Sequence, residues 1–343
     1  MTQIARQTQV ITGLAPDRIP FADLLEAGQP AILKGVANHW PLVRAGLQAP
    51  EAAIDYLKQF TGPKPITVFN GAPAIAGRFH YNDDVTGFNF HTQKEPLGVT
   101  LDRLRAQLGD ASAPAIYVGS TDIDQYLPQL RIGNDLNLQG PVFEQHRPLM
   151  SIWIGNRTVA TAHFDMTHNL ACCMVGRRRF VLFPPEQVHN LYPGPLEHTP
   201  AGPVVSMVNF DAPDFERYPR YREALASAQV ADIEPGDVLF YPAMWWHHVH
   251  ALDSFNAMIN YWWTTTPTFL DSPHTTLMHA LLSLRDRPPQ EKAAWREIFE
   301  YYVFGTPGRA AEHLPAHARG NLAPMDNAKA SRLRAFLLSR LHR

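Results

Sequence analysis

Between Ala115 and Trp263 the chain reads as a succession of short apolar segments: AIYVGS, SIWIGN, TAHFD, NLACCMV, RRFVLFP, VVSMVNF, DVLFYP, WHHVHAL and FNAMINYWW. Segments of this length, rich in β-branched and aromatic residues and bounded by turn formers, are strands. Few helical stretches intervene. Many short strands joined by Pro/Gly turns predict a mainly β fold, an antiparallel sandwich or barrel such as a jelly roll. The 30 prolines of the 343 residues agree, since proline suits turns and interrupts long helices.

The flanks read differently. In the N-terminal third, Phe21 to Ala27 is a predicted short helix and Ala31 to Val36 a buried strand. A helix is expected from Pro50 to Gly62 and a strand over Ile66 to Asn70. Residues 71–98 show no periodicity and predict a long loop or a hairpin with a wide tip. Thr100 is read as the cap of a helix that buries Leu101, Leu104 and Leu108 and ends at Gly109. After Thr266 the pattern turns helical: Ser272 and Pro273 open one helix, Trp295, Ile298, Phe299 and Tyr302 form a stripe on another, and Leu333, Phe336, Leu337 and Leu341 line the last. Such stripes suit packing within the domain and a dimer face alike. The expected organisation is an α/β cap integral to the fold (1–114), a jelly-roll core (115–265) and a helical extension (266–343), the last a candidate dimerisation region.

Composition limits the function. Hydrophobic residues make up 45% and charged residues 18%, enough for a sizeable core, and the formal charge of -2 gives no sign of nucleic-acid binding. The two cysteines, Cys172 and Cys173, are adjacent, so on a strand they face opposite ways and form neither a disulfide framework nor a zinc site. The N-terminus lacks the parts of a signal peptide, and no apolar run approaches the ~20 residues of a membrane span. A cytoplasmic location is expected.

The chemistry concentrates in two segments. In TAHFD, His163 and Asp165 are two apart, which puts both side chains on one face of a strand. In GDVLFYPAMWWHHV, Gly236, Pro242 and His247 follow G-x5-P-x4-H. Two histidines and a carboxylate make a facial triad, a ligand set that leaves half an octahedral iron site open. On the strand His248 faces away from His247, whereas a bulge could re-aim His250. With 16 histidines in the chain an HxD pair alone is weak, and the second segment is what strengthens it.

These motifs, with NLACCMVGRRRFVLFPPEQ and NFDAPDFERYP, resemble the JmjC and cupin-like Fe(II)/2-oxoglutarate oxygenases, most nearly the branch containing the asparaginyl hydroxylase factor inhibiting HIF. The similar text runs from about Tyr117 to Trp263. PAILKGVANHWPL carries a fainter likeness. The resemblance implies a double-stranded β-helix, with Fe(II) held by His163, Asp165 and His247 and 2-oxoglutarate as co-substrate. It implies that Arg178, where the family usually has lysine, grips the distal carboxylate, that Tyr117 hydrogen-bonds it, and that Asn169 and Asn260 flank the cofactor. Two departures stand out: Arg178 in place of lysine, and Ala160 in a place often held by threonine, with Thr161 one position later; Met244 also stands where cupins often have glycine. Arg177 and Arg179 are alternatives to Arg178 that strand alternation turns away.

The expected function is hydroxylation of an unactivated C–H bond, on a protein side chain or else on a small molecule. The alternatives are a metal-binding cupin-type enzyme that does not use 2-oxoglutarate and a catalytically silent binding module. Trp245, Trp246, Trp262 and Trp263 suit a recognition surface or plain packing, and Asp211, Asp214, Glu216 and Arg217 lie in a stretch that positions substrate in relatives. His168 is read as a strand-end hydrogen-bonder.

Overall fold

The computed structural model describes residues 4–144, 146–200 and 202–341. The chain forms two compact units, Met1–Thr265 and Thr266–Arg343. The first is built on two mixed sheets, a double-stranded β-helix of the jelly-roll kind. One sheet runs in the order Arg6–Gln7, Gln229–Ile233, Arg178–Phe183, Trp246–Ala251, Val159–Phe164 and Arg78–Phe79. The other runs Gln9–Ile11, Ala31–Leu33, Val238–Tyr241, His168–Val175, Asn256–Trp263, Leu149–Gly155, Ala115–Asp122, Pro65–Gly71 and Phe90–Pro96.

Strand alternation sorts the core into three layers. Ala171, Cys173, Phe180, Leu182, Leu239, Tyr241 and Met258 share one buried cluster that lines the space between the sheets. Leu170, Cys172 and Met174, the alternate residues of the same strand, join a second cluster with Trp40, Leu42, Ile54, Leu57, Leu101 and Leu104 from the N-terminal helices. The third cluster places Val181, Phe183 and Trp246 against Leu191, Phe210 and Tyr221. Both sheets are therefore covered on two faces, which is why their central strands read as unbroken apolar runs rather than alternating ones. The adjacent cysteines divide between two layers, and both are free thiols. Phe183 is fully buried, and its truncation to Ala would cost about 3–5 kcal/mol.

Several local expectations need correction. Thr100 does not cap a helix; it lies inside Leu97–Ala106, buried, and its hydroxyl donates to Glu95. Pro96 occupies the cap position, because the preceding strand runs directly into the helix. The segment VVSMVNF forms isolated bridges rather than a strand, with Val205 opposite His163 and Ser206 opposite Pro193. Several elements escaped the pattern, among them the helices Pro41–Gln48 and Tyr221–Ser227 and the strand Gln229–Ile233. Residues 71–98 do form a wide hairpin, since Pro65–Gly71 pairs antiparallel with Phe90–Pro96.

The second unit is helical, with Pro273–Ser283, Pro289–Phe299 followed by a π-helical turn, Glu300–Phe304, and Asn327–Leu341. Ser272 caps the first, its hydroxyl accepting from the His274 amide. Trp295, Ile298, Tyr302, Phe336, Leu337 and Leu341 are all exposed, whereas Phe299 and Leu333 of the same stripes are half-buried. No helix among the described residues is long and apolar enough to cross a membrane.

Candidate metal centre

His163 and Asp165 sit at the end of Val159–Phe164 and just past it, and His247 lies on the neighbouring antiparallel strand, Trp246–Ala251. The register makes His163 and His247 direct Cα partners. One ligand atom from each of the three residues falls within 4.8 Å of the others. The two imidazole centroids are 4.2 Å apart, and His247 Nε2 is 3.7 Å from Asp165 Oδ2.

Backbone carbonyls fix both rings. His163 Nδ1 donates to the Thr161 carbonyl at 2.8 Å and His247 Nδ1 to the Trp245 carbonyl at 3.1 Å, each two residues back. A carbonyl only accepts, so the proton resides on Nδ1 and Nε2 keeps its lone pair for a ligand, the usual orienting arrangement of metal-binding histidines. Burial, reinforced by neighbouring His163, lowers the His247 pKa to about 4 and keeps that imidazole neutral. Tyr241, buried beneath, packs its ring 4.7 Å from that of His247. The loop before His247 is tied to the site as well: the Met244 amide donates to the Asp165 carbonyl at 2.8 Å. Met244 adopts φ +69, the left-handed region in which glycine is the easy choice.

A β-bulge lies beside the first ligand. The pairing of Trp246–Ala251 with Val159–Phe164 slips between His247 and Val249, so Thr161 and Ala162 together face His248. Ala160 thereby turns toward the inter-sheet cluster, while the Thr161 hydroxyl is buried without a partner.

The triad opens into a cavity of about 540 Å³, lined among others by Tyr117, Arg178, Tyr241, Asn260, Phe79 and Trp262. Arg178 alone of the three consecutive arginines turns inward. Arg177 pairs with Asp253 and Arg179 with Asp232 at the surface, as alternation along the strand requires. Arg178 is 3% exposed, forms no ion pair with a described residue, and leaves its Nε without a hydrogen bond. Burial holds its pKa below the usual guanidinium value. Tyr117 also faces the cavity, and burial raises the pKa of its phenol, which stays protonated and able to donate.

Asn169 and Asn260 are hydrogen-bonded to one another and to the triad. Asn169 Nδ2 donates to Asp165 Oδ2 at 3.0 Å, and Asn260 Nδ2 donates to Asn169 Oδ1 at 2.9 Å. Asn260 lines the cavity, and Asn169 is wholly buried behind the carboxylate.

The secondary candidates divide. His248 and His250 are hydrogen-bonded through their Nε2 atoms at 2.8 Å, and His250 reaches Asp211 at 3.4 Å, on the face of the sheet away from the triad. Asp214 closes a turn by accepting from the Glu216 and Arg217 amides. His168 Nδ1 accepts from the Ala243 amide at 3.2 Å at its strand's end. Trp245, Trp246 and Trp263 are buried packing residues, whereas Trp262 reaches the cavity. Sequence reasoning missed Trp153 and Tyr241 as cavity residues; both lie inside predicted strands, where alternation alone could have found them.

The sequence profile of the family described as "Cupin-like domain" matches residues 16–269. This chain belongs to that cupin-like family. Among curated proteins it is similar to Lysine-specific demethylase JMJ31 of Arabidopsis thaliana, 26% identical over 71% of this chain and 48% of that protein. Jumonji C domain-containing protein 5 of Drosophila melanogaster is 26% identical over 69% of this chain and 55% of its own length. Human HSPB1-associated protein 1 is 38% identical over 33% of this chain and 23% of its own. The chain thus spans about half or less of the curated relatives it matches.

Proposed function

We propose that this chain is an Fe(II)- and 2-oxoglutarate-dependent oxygenase that hydroxylates a C–H bond of a neutral protein side chain. The observation that carries this reading is Arg178: a buried guanidinium without a counter-ion among the described residues, facing the same cavity as the triad. A buried unpaired cation is costly, and the strong partner for its planar fork is a carboxylate. Arg178 and Tyr117 would hold the distal carboxylate of the keto acid. His163, Asp165 and His247 would hold iron through two imidazoles and one carboxylate, a donor set suited to Fe(II).

Bound Fe(II) and 2-oxoglutarate supply the oxidising chemistry: O2 and the keto acid are consumed, succinate and CO2 leave, and one oxygen atom enters the substrate C–H bond. The protein's part is geometric. The strands fix three ligand atoms, the carbonyls of Thr161 and Trp245 set the ring orientation, and the apolar walls exclude water.

Lysine demethylation is the rival reading, drawn from the name of the Arabidopsis relative. The charged residues lining the cavity are Asp165 and Arg178. With Asp165 committed to the metal, no carboxylate there remains to receive an ammonium, which favours a neutral substrate residue. The exposed Phe336, Leu337 and Leu341 of the last helix support a homodimer formed through the helical unit.

Anaerobic addition of Fe(II), then 2-oxoglutarate, tests the main reading through the visible metal-to-ligand absorption of the chelate. The band is expected with the wild type, and Arg178→Met should need ~10–150-fold more 2-oxoglutarate to develop it. Iron binding without the band would sink the co-substrate assignment.

A further inference from the structure

We propose that Trp153 is a positioning residue for the metal centre, acting on Asp165 through Asn260 and Asn169. The inference rests on the metal-site reading above. The Trp153 indole N–H donates to Asn260 Oδ1, Asn260 Nδ2 donates to Asn169 Oδ1, and Asn169 Nδ2 donates to Asp165 Oδ2. The four residues come from three neighbouring strands and the turn that leaves the His163 strand, and both amides are buried.

The ends of this chain fix its direction. An indole nitrogen can only donate and a carboxylate can only accept. Between them each asparagine has one arrangement in which every contact pairs a donor with an acceptor. Turning either amide over would place two oxygens or two N–H groups together in a buried setting. Trp153 therefore holds Asn260, Asn260 holds Asn169, and an N–H is always presented to Asp165 Oδ2. One carboxylate oxygen is occupied, and the carboxylate plane is set relative to His163 and His247. Outer partners of this kind typically change metal affinity ~10–100-fold.

Trp153 also forms part of the cavity wall, with its ring 5.9 Å from Tyr117 and 5.7 Å from Trp262. Trp262 provides an internal control. It borders the same cavity, yet its indole nitrogen is buried without a hydrogen-bond partner.

The test is Co(II) titration of the metal-free protein, followed by visible absorption, for the wild type, Trp153→Phe, Trp262→Phe, Asn260→Leu and Asn169→Leu, with His163→Ala as the site control. Trp153→Phe is expected to weaken Co(II) binding ~3–10-fold, below the full outer-partner effect because it acts at two removes. Trp262→Phe should leave affinity unchanged, and the loss should grow from Trp153→Phe through Asn260→Leu to Asn169→Leu. Circular dichroism identifies any variant that fails to fold, and the asparagine variants then carry the comparison. Equal affinities for Trp153→Phe, Trp262→Phe and wild type, or a loss that does not grow toward Asp165, would overturn the relay while the metal site stands. Undiminished binding in His163→Ala would instead overturn the metal-site reading itself.

Discussion

His163 and His247 are Cα partners across two antiparallel strands, although they come from segments far apart in the chain. Their rings lie 4.2 Å apart, centroid to centroid, because the backbone ladder sets their separation. The Asp165 carboxylate joins them from the turn that follows His163. Replacing His163 or Asp165 by Ala is expected to abolish Fe(II) binding and 2-oxoglutarate turnover together. The affinity loss should exceed the ~10–100-fold caused by removing an outer partner. Calorimetry and succinate release measure the two, and retained turnover in either variant would defeat the assignment.

Arg178 separates function from stability. Its guanidinium is buried at a desolvation cost and has no counter-ion among the described residues. Arg178→Met is therefore expected to keep or raise the melting temperature of the metal-free protein. It should weaken 2-oxoglutarate binding by ~10–150-fold, the equivalent of the roughly 1.5–3 kcal/mol of a hydrogen bond to a charged group. Scanning calorimetry and the 2-oxoglutarate KM give the two readouts.

Gly236 has φ +98, and an added Cβ would lie 1.8 Å from Asn38 Oδ1. The Asn38 side chain can move, but the backbone cannot take this conformation without strain. Gly236→Ala should cost at least about 1 kcal/mol by urea unfolding. The Gly236 turn feeds Val238–Tyr241, and the next strand carries His247, so Co(II) affinity should fall alongside.

His80 is buried, and its Nε2 donates to the Ser206 carbonyl at 3.0 Å. Burial, and then Arg78, lower its pKa to about 4, against an ordinary value of 6.5. Between these values the unfolded chain binds the proton and the folded chain does not. Stability should therefore fall as pH drops from 6.5 to 4, by up to ~1.4 kcal/mol per pH unit for this group. Metal-free His247, lowered in the same direction, adds to the slope. Chemical unfolding of metal-free His80→Gln over this window should show a slope shallower by one proton. An unchanged slope would mean that His80 charges in the folded state at little cost.

The exposed apolar residues of Asn327–Leu341 lead to an expectation for assembly. The full chain should elute as a dimer in light-scattering chromatography, and a truncation before Asp326 as a monomer. An unchanged mass would count against the helix as a dimer face.

Much of this fold is legible in the sequence because strand alternation is local. It separates Cys172 from Cys173 and Arg178 from its two neighbours without any knowledge of the tertiary structure. The failures have tertiary causes. A regular strand would turn Ala160 away from the face of His163, and only the pairing with Trp246–Ala251 creates the bulge that brings it to the inter-sheet cluster. Thr100 has the chemistry of a cap but sits inside a helix begun earlier by the incoming strand. The roles of Asn169 and Trp153 depend on hydrogen bonds between strands remote in sequence, which no spacing rule encodes.

The carbonyls of Thr161 and Trp245 orient both imidazoles whether or not an ion is bound. Such a nest is ready before its guest arrives, and readiness is not selectivity. Two imidazoles and one carboxylate bind late first-row divalent ions at least as well as ferrous iron. Which ion fills the site then depends on what the surroundings supply. Protein purified in air is expected to carry nickel or zinc, folded normally and silent until iron is restored.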